Sequence, residues 1–196
     1  MLSDVILLII FRHCLGSTPR FWPTLACVCQ RWRRIVFSSP LGLDLRVHCT
    51  YGKPVVKTLD CWPVLPIVIR YGGFPDLDPL ASEDHDNTIA ALKHSGRIRS
   101  IRLTVSNLLI VKLPALSEPF SELEELAFLS QDNMQPTLPS TFRWGPRLRT
   151  LLSTGISFPS SPQLLSSSRD LVYLQLHEIP CDGYFHSGAF AGAFSE

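Results

Sequence analysis

The period of the apolar positions changes once along the chain, near residue 43. Residues 2–11 (LSDVILLIIF) are apolar almost throughout, which predicts a short helix buried on most sides. STPRFWP (17–23) interrupts it, and Pro23 suits a first helical residue, where its missing N–H costs nothing. In LACVCQRWRRIV, Leu25, Val28, Cys29, Trp32, Ile35 and Val36 recur at spacings of three and four, one face of a second helix. Gln30, Arg31, Arg33 and Arg34 fall mainly on its other face, and Ser38-Ser39-Pro40 ends it.

From Leu43 onward the pattern alternates. LDLRV reads as a short strand and VLPIVIR as a second, with Pro54, Pro63 and Pro66 as punctuation. Residues 72–87 form a turn-rich, acidic stretch expected to be a loop. Asp86 or Asn87 is expected to cap a helix running to about His94, with Gly96 just past its end.

An internal repeat follows. Ile98, Ile101 and Leu103 align with Leu123, Leu126 and Phe128, then with Leu148, Leu151 and Ser153, then with Leu171, Leu174 and Leu176; successive offsets are 25, 25 and 23 residues. Each block reads apolar-x-x-apolar-x-apolar, broken only at Ser153. This is the strand signature of leucine-rich repeats, in which one strand cannot bury its inner face alone but stacked neighbours can. A generic series of hydrophobic strands is the alternative. The Asn or Cys usual three residues after the last apolar position is replaced by Ser106, Gln131, Ile156 and Ile179, and the connections are rich in Pro and Ser. An irregular solenoid follows, with loops or short 3₁₀ turns on its convex side.

Composition narrows the function classes. The chain has 196 residues and is 45% hydrophobic, enough for a sizeable core. Eighteen basic and seventeen acidic residues leave +1, which argues against broad phosphate neutralisation. Sixteen prolines argue for short elements. No apolar run approaches the ~18 to 20 residues of a membrane span. Asp4 before the run at 5–11, and Arg12 and His13 after it, argue against a secretory signal. The six cysteines (14, 27, 29, 49, 61 and 181) are expected to be free, buried thiols in a reducing compartment.

The N-terminal segment resembles an F-box. Leu2, Leu7, Ile10 and Phe11 match the apolar opening that ends in Ile-Phe. Val28, Cys29, Arg31, Trp32 and Arg33 match the Val-Cys-Arg/Lys-x-Trp-Arg second helix. The order of F-box, strand and irregular repeats is similar to that of the large F-box-like families of mushroom-forming fungi. Ser3 replaces the family proline, Val5 and Ile9 stand where acidic residues are common, and Leu41 is followed by Gly42 where the family has Leu-Trp. The implied fold class is α+β to α/β. Residues 1–40 are the helical F-box-like unit, and 43–180 are an irregular leucine-rich-repeat solenoid with a curved parallel sheet. The tail 181–196 fits no further repeat, as expected of a truncated array.

The resemblance implies a non-catalytic substrate receptor of a cullin–RING ubiquitin ligase, intracellular and cytoplasmic, nuclear or both. Its F-box docks on a Skp-type linker protein and its repeats hold a target protein. The alternative is a repeat-type scaffold that has lost the ligase link, which the altered ends of the motif favour. Linker docking falls to Leu2, Leu7, Ile10, Phe11, Val28 and Trp32. Because side chains alternate along a strand, the concave face is Ser100, Arg102 and Thr104; Glu125, Ala127 and Leu129; Thr150, Leu152 and Thr154; and Tyr173, Gln175 and His177. That face suits a protein or peptide, though an ordinary solvated face fits the same residues.

No catalytic constellation is found: no G-x-S-x-G elbow, phosphate-binding G-x-x-x-x-G-K loop or H-E-x-x-H. Glu83 to Asp86 lack a calcium-loop pattern. Cys27-x-Cys29 lacks the spacing of a zinc site; His13-Cys14 and His48-Cys49 offer ligand types, but no structural zinc site is expected. No metal, cofactor, membrane or nucleic-acid partner is expected. The cluster Arg31, Arg33 and Arg34 reads as a solvated helix face rather than a phosphate-binding one.

Overall fold

A computed structural model of the chain describes residues 2–17, 21–50, 54–71, 82–106, 109–110, 118–130, 136–139, 142–157 and 168–179. The first apolar run forms helix α1 (Asp4–Ser17). Ser3 caps it: its Oγ accepts the N–H of Ile6 at 3.3 Å, and its carbonyl that of Leu7 at 3.1 Å. Only one stripe turns inward, Leu7, Phe11 and Leu15 at a spacing of four. The expected burial on most sides is therefore corrected, because Val5, Ile6, Ile9 and Ile10 face outward.

The second predicted helix is two. Helix α2 (Trp22–Val28) and helix α3 (Gln30–Ser38) are separated by Cys29, whose backbone is extended (φ −158°, ψ 168°). The Cys29 Sγ accepts the N–H of Trp32 at 3.5 Å, and Arg33 Nε donates to the Ala26 carbonyl at 3.0 Å across the break. The single apolar face is thereby split. Ile35 and Val36 are buried, while Val28 and Cys29 are exposed.

Strand β1 (Val47–Thr50) begins later than LDLRV suggested. Leu43 and Leu45 donate backbone hydrogen bonds to the carbonyls of Ser39 and Pro40, and Asp44 sits at φ 48°, so this stretch is a turn. Helix α4 (Val55–Cys61) follows, then strand β2 (Ile67–Tyr71) and helix α5 (Ser82–Leu92). Residues 82–87, expected in a loop, open α5; Asp86 and Asn87 lie inside it, and Asn87 Oδ1 accepts the N–H of Val55 at 3.3 Å. Residues 72–81 lie outside the described part. A 3₁₀ turn (Ser95–Arg97) leads into strand β3 (Ile98–Val105), followed by β4 (Glu125–Ser130), β5 (Thr150–Thr154) and β6 (Tyr173–His177).

The six strands form one parallel sheet in the order β1 to β6. The chain is thus a mixed α/β protein. The repeat alignment is the sheet register: Ile101, Leu126, Leu151 and Leu174 are successive partners, as are Leu103, Phe128, Ser153 and Leu176. Two carbonyls just before the strands each accept two successive N–H groups. Glu124 O accepts the N–H groups of Arg149 (2.9 Å) and Thr150 (3.0 Å); Arg149 O accepts those of Val172 and Tyr173, both at 2.9 Å. Leu123 and Leu148, the first apolar positions of their blocks, are fully buried like the inward strand residues that follow.

Helix α5, whose second half the sequence predicts, fills the second crossover, and helix α4, which it does not predict, fills the first. Later connections run close to one another instead, with parallel bridges Phe120–Trp144 and Thr137–Ser157. Gly145 permits this, because a Cβ there would lie 2.8 Å from the Ser121 Cα.

One buried cluster runs from Leu7 on α1 to Ile156 after β5. Trp22 links the helices to the sheet region. It is 2% exposed, its Nε1 donates to the Arg46 carbonyl at 2.7 Å, and its ring meets Trp62 edge-on at 4.7 Å.

Ser153, the one break in the repeat, occupies a core position beside Phe128 and Leu176. It is 1% exposed, and its Oγ has no hydrogen-bond partner among the described residues. Ser153→Ala is expected to raise unfolding stability by about 1 kcal/mol, because it removes a buried, unpaired hydroxyl. A urea midpoint that stays put or falls would show that the hydroxyl is satisfied.

The cysteine expectation needs correction. Cys14, Cys27, Cys29 and Cys61 are exposed thiols in no disulfide; among the described cysteines only Cys49 is buried. Burial pushes the Cys49 thiol up to about 11, against a smaller downward pull from the Arg97 charge. A raised acid is held in its neutral form. The stabilisation is complete below the unfolded thiol's pKa of about 8.5 and is lost as pH rises through the folded value. At pH 8 a thiol reagent should label the four exposed cysteines and spare Cys49 until the chain unfolds. Site-resolved mass spectrometry would check this, and rapid labelling of Cys49 in the folded chain would contradict it.

Candidate protein-interaction surfaces

The first surface is built on α1. With Leu7, Phe11 and Leu15 turned inward, the helix opposes them with Val5, Ile6 and Ile9, and Ile10 lies at the edge. Leu2 is 52% exposed, Val5 66%, Ile6 45%, Ile9 63% and Ile10 41%. Val28, at the end of α2, is 57% exposed. An open concavity on α1 is lined by Ile9, Arg12, His13 and Gly16. A contiguous apolar helix face of this kind favours a partner over water.

Of the residues expected to dock a linker, Leu2, Ile10 and Val28 are exposed, whereas Leu7 and Phe11 belong to the core. Trp32 is half-buried, its ring 4.8 Å from that of Phe11. Leu7 and Phe11 thus offer no surface, and half-buried Trp32 offers only part of its side chain. Val5, Ile6 and Ile9 were not nominated. For Val5 and Ile9 the signal was in the sequence, since they stand where acidic residues are common in the resembled family; Ile6 carried no such signal.

The basic cluster is engaged within the molecule. Arg31 Nε donates to Asp4 Oδ1 at 2.9 Å and its NH2 to the Leu2 carbonyl at 2.5 Å, while Arg34 lies 3.7 Å from Asp4 Oδ2. Asp4 also sits in the first turn of α1, where the helix dipole favours an anion. Arg31 therefore fastens the start of α1 to α3.

The second surface is the sheet face opposite the core. The expected residues form a grid in register. Ser100, Glu125, Thr150 and Tyr173 make one row; Arg102, Ala127, Leu152 and Gln175 the next; Thr104, Leu129, Thr154 and His177 the third. Arg102, Tyr173, Gln175 and His177 are exposed, and the β4 and β5 members are half-buried. Ser100 and Thr104 are each only 4% exposed and are not available to a partner. Strands β1 and β2 extend the grid, bringing Arg70 beside Arg102.

Glu125 organises this face. It accepts Ser100 Oγ at 2.7 Å and Arg102 Nε at 2.8 Å, with a second, shorter contact from the same guanidinium. Burial acts to raise its pKa, but the hydrogen bonds from Arg102 and Ser100 and the charges of Arg102 and Arg70 outweigh it, so the carboxyl is held below its ordinary range. At neutral pH Glu125 is thus a carboxylate paired with Arg102 and within the field of Arg70.

His85, in the EDHD run, is buried in α5 with Nε2 3.2 Å from Ser106 Oγ. His48 and Cys49 alternate onto opposite sheet faces. Among the described residues no group of three or more His, Cys, Asp or Glu is placed to hold a metal ion, and no helix is long and apolar enough to cross a membrane. No protein-family model, curated protein or solved structure matches the chain.

Proposed function

We propose that the chain is a non-catalytic substrate-recognition adaptor of a cullin–RING ubiquitin ligase. In this reading residues 1–40 are an F-box-like unit that docks on a Skp-type linker protein. Residues 43–180 are an irregular leucine-rich-repeat array whose polar sheet face holds a target protein. The adaptor works inside the cell, in the cytoplasm, the nucleus or both. The observation that carries the reading is the outward apolar face of α1, with Leu2, Val5, Ile6, Ile9 and Ile10 each more than 40% exposed. That face lies on the segment whose residues resemble the F-box. That area stays exposed in the isolated chain, and a handful of central apolar residues supplies most of the energy in such contacts.

A second reading has two observations in its favour. Ser3, standing in place of the family proline, acts as the cap of α1, and Gly42 stands where the family has Trp. A scaffold that binds protein through its sheet face and has lost the ligase link would carry such changes. Co-purification of the native chain with a Skp-type linker separates the two. A stoichiometric complex supports the adaptor. A folded chain that forms none supports the scaffold.

A further inference from the structure

We infer that two copies of the chain pair through strand β6, antiparallel and about a two-fold axis at Gln175. The core side of the sheet is sealed at β3, β4 and β5 and left open at β6. Ile101, Leu126 and Leu151 are fully buried, while their register partner Leu174 is partly exposed. Leu103, Phe128 and Ser153 are buried in the next row, and Leu176 again is partly exposed. Among the described residues no strand or bridge lies beyond β6.

The backbone of β6 is open on the same side. The Tyr173 N–H goes to the Arg149 carbonyl, and the His177 carbonyl accepts the Gly155 N–H at 3.0 Å. Backbone groups alternate sides along a strand, so Tyr173, Gln175 and His177 address β5. Leu174 and Leu176 turn their N–H and C=O groups outward. Sheet proteins commonly block such an edge with charge or proline. Residues 171–177 (LVYLQLH) contain no Lys, Arg, Asp, Glu or Pro.

The strand is complementary to itself, which selects a second copy as its occupant. Centred on Gln175, an antiparallel copy sets Leu174 of each chain opposite Leu176 of the other. These two pairs exchange their outward N–H and C=O groups as hydrogen bonds and bring the partly exposed leucines together. Leu171 and Ile179, also partly buried, flank the strand at its two ends and extend the apolar contact. On the polar side Tyr173 meets His177. Glu178 meets Val172, so no like charges are opposed. Registers centred on Leu174 or Leu176 leave strand residues without a partner, and the first also sets Glu178 against Asp170. A five-residue pairing buries less than about 1,200 Å², so the dimer is weak and concentration-dependent. It joins two six-stranded sheets into one.

The test is sedimentation velocity on the native full chain between about 1 and about 500 μM, the range of a weak interface. A monomer–dimer equilibrium is expected. Gln175 is exposed and lies on the axis. Gln175→Lys or Gln175→Glu therefore sets like charges directly opposite each other and should raise the dissociation constant about fivefold or more. Mixing the two variants sets opposite charges together and should restore the dimer. Melting temperatures equal to the native value show that the variants are folded. Ile9→Asp, which places a charge on the apolar face of α1, should leave the dimer intact. A dimer insensitive to charge at position 175, one lost in Ile9→Asp, or charge variants that do not recover on mixing would overturn this pairing. A chain monomeric at every concentration would do the same and leave the edge to a strand of another protein.

Discussion

Replacing Ile9 with aspartate should abolish co-purification with a Skp-type linker while leaving the chain folded. Ile9 is 63% exposed at the middle of the outward face of α1, so an aspartate there stays hydrated in the free chain. In a complex the same carboxylate would be driven into an apolar contact without a partner, which costs several kcal/mol. Loss of a central anchor alone is worth about 2 kcal/mol or more, so affinity should fall at least about thirtyfold. Ile6→Asp should behave alike. Trp32→Ala would be a poor substitute, because its ring packs on Phe11 and its removal would loosen α1 from α3. Native circular dichroism with full linker binding by Ile9→Asp would remove the α1 face from the docking role. The adaptor reading would then give way to the scaffold.

The largest loss of stability is expected at Trp22. Its ring lies against Trp62 and Phe37 at 4.7 and 5.9 Å, and its indole N–H satisfies the Arg46 carbonyl just before β1. Trp22→Ala removes that packing and leaves the carbonyl without this donor. The cavity costs about 3 to 5 kcal/mol and the lost hydrogen bond about 1 more. For a chain of this size that is roughly 10 to 20 °C in melting temperature. Trp22→Phe should lose less, since it keeps most of the ring contact and gives up chiefly the hydrogen bond. Far- and near-ultraviolet melts would read both. Equal losses for the two variants would mean that the hydrogen bond, not the packing, carries the joint. A small loss for Trp22→Ala would mean that the helices and the sheet region stand independently.

Much of the sheet was legible because it is encoded by local periodicity. A strand exposes alternate residues to each face, so Leu126, Leu151 and Leu174 had to share a side once their repeat offsets were fixed. The same arithmetic placed Arg102, Leu152 and Gln175 on the opposite face in one row. Side-chain pairs echo the offset of 25: Ser100 with Glu125, and Glu122 with Arg147. The later start of β1 and the extension of α5 back to Ser82 were less legible, since turn bonds at Leu43 and Leu45 and the Asn87 contact to Val55 are long-range or depend on context.

Helix α4 and the break at Cys29 were not readable in the same way. VVKTLDC has the β-branched residues of a strand, and it becomes a helix because Val55 and Leu59 reach the core one turn apart. The spacing of LACVCQRWRRIV fits one continuous helix. Two helices form because Arg33 returns to the Ala26 carbonyl and Cys29 caps the second. On the binding surfaces, a helix apolar on every side gives no periodicity from which to choose its outward face. Leu7 and Phe11 turned inward because Trp32 and the core were there to receive them. Ser100 and Thr104 lost their exposure to neighbours on the sheet. The sequence by itself determined the repeat register and the residues that share each sheet face, because those follow from the period of the chain. Only the tertiary structure decided which apolar residues remain outside and which charges meet, because both depend on what each side chain finds opposite it.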